Sequence, residues 1–105
     1  MPLEDYLMPG EQIKLHSNVD IEYSGKDYEL ILTDKRILLY AKRGLLGRKD
    51  DVVTQKLDEL QGVKYKEKGL IKKEGEIEIQ GKTIMPLTGP PAAVKSLYQQ
   101  LMQFM

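Results

Sequence analysis

Apolar positions in this chain fall in short runs until residue 88, most of them with a period of two. Residues 28–33 and 36–40 are two such runs, rich in Ile, Leu and Tyr and set around Asp34 and Lys35. Each is too short for a typical helix, and together they predict two adjacent strands joined by a tight turn. Asp34 can hydrogen-bond the local backbone and so favours that turn. Leu30, Ile31 and Leu32 in one run, and Ile37, Leu38 and Leu39 in the other, leave no polar phase. That pattern predicts a central hairpin covered on both faces.

The flanking segments alternate more cleanly. One helical turn over residues 3–8 is stopped by Pro9-Gly10. Ile13 and Leu15 then alternate with Gln12, Lys14 and His16, and Val19, Ile21 and Tyr23 keep the period beyond a bend near Asn18. Residues 24–27 read as a turn and residues 41–50 as a loop. Residues 51–57 predict a fourth strand, and residues 58–62 a short connection with room for one helical turn. In residues 63–67 Val63 and Tyr65 would face inward, with Lys64, Lys66 and Lys68 outward. Residues 69–75 are turn-like, and Gln80-Gly81 can close a hairpin between 76–79 and 82–87.

The period changes after Pro90-Pro91. Val94, Leu97, Tyr98, Leu101, Met102 and Met105 recur at three- and four-residue spacing. They predict an amphipathic helix over about residues 90–104, with proline in its first turn. Burying four large side chains of that stripe contributes roughly 6–12 kcal/mol gross. A domain's net stability is only about 5–15 kcal/mol, so the helix belongs to the fold.

At 105 residues the chain reads as one domain, residues 1–105, with a core over about 7–104. There is no cysteine, so disulfides and thiolate metal sites are excluded. Apolar runs of a few residues cannot span a bilayer as helices. The acidic start, MPLEDYLMPGE, lacks the basic region of a signal peptide. A cytoplasmic protein is expected. Net charge is zero but uneven: residues 1–34 sum to −6, residues 35–49 to +6, and the rest balance. Either an acidic strand lies beside a basic one, or the basic block is a binding face.

Candidate catalytic chemistry is thin. His16 is the only histidine and sits on the polar phase of a strand. Gly81-Lys82-Thr83 mimics the end of a phosphate-binding loop, but Glu76 stands where that motif needs glycine. The carboxylates are scattered and suggest no acid/base pair. No enzymatic activity, cofactor or metal is expected.

Several stretches resemble one family. LTDKRILLY at residues 32–40 is similar to the "lTnkRliiy" hairpin of GRAM and prokaryotic pleckstrin-homology-like (PH-like) domains. Pro9-Gly10-Glu11 resembles the "l-x-x-GE" that opens them. Gly44-Leu45-Leu46-Gly47, with the segment 57–63, resembles their third-to-fourth strand loop and "ipl-x-dI-x-x-V". The resemblance implies a mainly β fold: a PH-like barrel of two nearly orthogonal antiparallel sheets, about seven strands, capped by one C-terminal helix.

Two functions follow from different classes. The first is a non-enzymatic protein-interaction or assembly module forming a homo-oligomer, because such barrels have incompletely closed sheets whose edges accept partners. The second is weak, unspecific binding to anionic phospholipid, peripheral at the inner membrane face. Its candidate contact is Lys42, Arg43, Leu45, Leu46, Arg48 and Lys49, two leucines bracketed by glycines and flanked by basic pairs. Basic positions that eukaryotic inositide binders carry on their first two strands are missing here. Lys64, Lys66 and Lys68 form a weaker basic stripe with Tyr65 interleaved, but neighbouring Glu67, Glu74, Glu76 and Glu78 argue against nucleic acid.

Overall fold

The fold is built on the hairpin that the apolar runs predict. In a computed structural model, which describes residues 6–17, 20–43, 49–69, 71 and 73–104, β3 (Lys26–Thr33) and β4 (Arg36–Arg43) pair antiparallel around Asp34-Lys35. The preceding strands are β1 (Ile13–His16) and β2 (Ile21–Tyr23). The chain continues through β5 (Lys49–Lys56), a 3-10 turn (Leu57–Glu59), β6 (Gly62–Lys68), β7 (Glu74–Gln80) and β8 (Ile84–Gly89), and ends in α1 (Pro91–Phe104).

Strand β3 organises the molecule because it belongs to both sheets. Its second half pairs with β1, from Ile13↔Thr33 to His16↔Ile31, and its first half with β2, from Ile21↔Tyr28 to Tyr23↔Lys26. One sheet is β1-β3-β4-β5; the other runs β3-β2-β8-β7-β6. Every pairing is antiparallel. Among the described residues no pairing joins β5 to β6, so the sheet is not closed. Among the described residues the expected strand count of about seven becomes eight, because β1 and β2 are separate strands.

Two local expectations are corrected. The turn before β3 is only Ser24-Gly25, both with positive φ (55° and 80°). That is the geometry of a two-residue hairpin, which glycine adopts without a Cβ penalty. Lys26 and Asp27 are already paired with Tyr23 and Glu22. The loop read over residues 41–50 is shorter, since β4 runs to Arg43 and β5 starts at Lys49.

The hairpin is covered on both faces, as its lack of a polar phase predicts. Leu30, Leu32, Ile37 and Leu39 enter the main core, which Ile77 and Ile79 of β7 and Val94, Leu97 and Leu101 of α1 complete. On the other face Ile31, Leu38 and Tyr40 pack under Tyr6, Leu7 and Val52. The Tyr6 and Tyr40 rings lie 5.9 Å apart, centre to centre. Helix α1 approaches β7 at Gly75. A Cβ built there would lie 2.9 Å from the Val94 Cβ and 3.0 Å from the Pro91 Cα. Only glycine permits that approach.

Candidate interaction surfaces

The two best-defined motifs in the sequence meet in space. Glu11, beyond the Pro9-Gly10 turn, reaches the β3–β4 turn and is buried there. Arg36 donates to it twice, from Nε to Oε2 at 2.9 Å and from Nη2 to Oε1 at 3.0 Å. The Thr33 hydroxyl donates at 2.5 Å and the Met8 backbone N–H at 2.8 Å. Arg36 also donates to the Tyr6 carbonyl. Burial pushes the Glu11 carboxyl up, but these hydrogen bonds and the guanidinium charge outweigh it and hold the pKa at about 2. Thr33, not Asp34, serves the local turn, its Oγ1 accepting from the N–H groups of Lys35 and Arg36. Asp34 instead ties the turn to the N-terminal segment. Its carboxylate accepts from the Gln12 N–H at 2.9 Å, and its own N–H donates to the Gln12 carbonyl. This constellation fastens the chain start across the hairpin and turns its polar atoms inward.

The basic stripe of β6 faces acids of β7. Lys64, Lys66 and Lys68 stand opposite Glu78, Glu76 and Glu74 in register. Lys68 Nζ lies 2.6 Å and Lys66 Nζ 3.4 Å from the buried Glu76 carboxylate. The hydrogen bond from Lys68 holds the Glu76 carboxyl below its ordinary value against the opposing effect of burial, and Lys66 adds to it. Two of the three cations are thus committed inside the sheet.

Of the other candidate contact, Lys42 and Arg43 lie at the end of β4 and Lys49 at the start of β5. Arg43 stands opposite Lys49, and Lys42 opposite Asp50. Leu45, Leu46 and Arg48 fall outside the described residues. His16 places Nε2 2.6 Å from Glu29 Oε1, with both side chains open to solvent.

A concave surface emerges at the open seam. Leu57, Leu60, Gln61, Gly62, Val63 and Met102 line a groove of about 550 Å³. It is mostly apolar and lies between the start of β6 and the end of α1. Met102 is 40% exposed and Phe104 53% exposed. Beside it Gln55 of β5 bridges to the β7–β8 turn, with Nε2 3.3 Å from the Thr83 carbonyl and Oε1 3.3 Å from the Thr83 hydroxyl. Sequence reasoning did not identify this groove. Leu57, Leu60 and Val63 recur every three residues, a signal that could have marked one apolar side of the connection.

Comparisons with known proteins agree with this architecture. A family model described as a bacterial PH domain matches residues 7–101. The chain is also similar to the crystal structure of a pleckstrin homology domain from Shewanella amazonensis SB2B. That likeness has a TM-score of 0.56 and 17% identity, over 82% of this chain and 75% of the other; at that identity it speaks to fold alone. No curated protein matches.

Proposed function

Because the chain belongs to the bacterial PH domain family, we propose that it is a non-enzymatic protein-interaction module that assembles with itself. The family is generally non-catalytic, and its domains generally mediate protein or lipid contacts. The observation that carries the reading is the open seam. Strands β5 and β6 each have a side without a partner strand among the described residues, and an apolar groove lies at the junction between them. Unpaired strand edges are ready templates for another chain. No helix among the described residues is long and apolar enough to cross a membrane, and we place the module in the cytoplasm. Light scattering over a concentration series tests the assembly. A mass rising above that of the 12.0 kDa chain is expected. A mass that stays there throughout removes the reading.

A second reading, weak and lipid-unspecific contact with anionic phospholipid, has one observation in its favour. The β4–β5 pairing brings Lys42, Arg43 and Lys49 to one end of one hairpin, with Arg43 and Lys49 partners in the backbone register. Like charges directly opposite in a sheet are unfavourable unless something neutralises them. Arg48, Leu45 and Leu46 lie between the two strands in sequence. Four such cations contribute roughly 4 kcal/mol at an anionic surface, which is only about millimolar affinity. Membrane residence would therefore need several copies acting together, and the second reading depends on the first.

A further inference from the structure

Strands β5 and β6 end the path of paired strands, yet their edges are not alike. Lys64, Lys66 and Lys68 sit at every second position of β6. Lysines on an edge strand are a common guard against the addition of another strand. Strand β5 carries its lysines only at its two ends, Lys49 and Lys56. Its register with β4 runs unbroken through eight pairs, from Arg36↔Lys56 to Arg43↔Lys49. It has no proline, and its centre, Val52, Val53 and Thr54, is uncharged. One side of this long, regular strand has no partner among the described residues.

We propose that β5 pairs antiparallel with β5 of a second copy of this chain, with the two-fold axis at Val53. The inference rests on the self-association reading and adds the surface and the register. The charge order of β5 selects the partner. The strand is acidic near its start, at Asp50 and Asp51, and basic at its end, at Lys56. A two-fold axis sets the start of one copy beside the end of the other, so this order is complementary to itself. The pleat then restricts the register. Val53 packs on the main core and Val52 on the cluster behind the hairpin. A continuous sheet must keep these two faces apart, so the axis must pass through a residue and not between two. With the axis at Val52, Asp50 meets Thr54; with the axis at Thr54, Val52 meets Lys56. With the axis at Val53, Asp50 meets Lys56, twice per dimer, and Val52 meets Thr54. Only this central register uses the charges.

Charge reversal tests the pairing. Lys56 is exposed and stands opposite Arg36 of β4, so Lys56→Asp should leave the fold intact, which circular dichroism checks. Sedimentation equilibrium should show wild-type dimer. Lys56→Asp and Asp50→Lys should each raise the dissociation constant about tenfold or more. The double variant Asp50→Lys/Lys56→Asp restores the opposition in reverse and should bring the constant back toward wild type. Hydrogen exchange of wild-type protein supplies a readout without mutation: β5 amides should gain protection as concentration rises, and β6 amides should not. If the wild type associates but both single variants and β5 exchange are unaffected, the interface lies elsewhere and only this proposal falls. If the wild type is monomeric throughout, the self-association reading falls with it.

Discussion

Glu11 is charged at neutral pH although almost none of its surface reaches water. Its partners make that tolerable, and removing one side should be severe. Glu11→Gln is expected to cost about 3–5 kcal/mol, because it leaves the largely buried Arg36 guanidinium without its counter-charge; urea unfolding at neutral pH measures it. The same pair sets an acid limit. The unfolded carboxyl binds its proton near pH 4.5 and the folded one near 2. Below 4.5 the unfolded chain takes up more protons, so the pair's contribution is complete above that pH and is lost as the pH falls through 2. Glu76, also held low, acts in the same direction. Urea midpoints should therefore fall between pH 5 and pH 2 in the wild type, and less steeply in Glu11→Gln. Glu11, Thr33, Asp34 and Arg36 were all visible in the sequence as two separate motifs. That they form one cluster was not, because 22 to 25 residues separate the partners and periodicity reports only on near neighbours.

Among the elements, α1 shows both the reach and the limit of a pattern. The spacing correctly marked Val94, Leu97 and Leu101, which are all buried. It also included Met102, which is exposed. A stripe measures what a helix offers, and only the facing surface decides what is covered. At Met102 the facing sheet is open, so the stripe outruns the core and lines the groove. Leu101, beside Met102, is fully buried, and Leu101→Ala should leave a cavity costing about 2–5 kcal/mol. At the other end of the helix the fit is tightest. Gly75→Ala should push Pro91 and Val94 off β7 and cost about 1–3 kcal/mol by overpacking. Thermal melts measure both, and wild-type behaviour of both variants would mean that the helix does not pack on β7. Nothing in the sequence distinguished Gly75 from a turn glycine, since close approach of a distant backbone leaves no local signature.

For the whole molecule, the mainly β order and the closing helix were legible because short runs and a change of period are local signals. The seam was not, since closure depends on whether two strands far apart in the fold meet. Charge placement on this scale separates the two functional readings. Co-sedimentation with anionic liposomes should be detectable at low salt and fade toward physiological salt, because exposed charges are screened within about 8–10 Å. Replacing Lys42, Arg43, Arg48 and Lys49 with glutamine should remove the salt-sensitive part. Replacing Leu45 and Leu46 with serine should lower what persists at high salt. No co-sedimentation at low salt removes the lipid reading and leaves assembly alone.

The pairing of β2 with β8 has a consequence for the order of folding. Strands β3, β4 and β5 follow one another as neighbours in the sheet, and so do β6, β7 and β8. Those ladders close short loops, which is entropically cheap and fast. The contact between β2 and β8, at Glu22↔Thr88, spans more than sixty residues and, among the described residues, is the only strand pairing that unites the two meanders. It and the docking of α1 are expected to come late in the reaction. Damage there should shorten the lifetime of the native state and barely slow its formation.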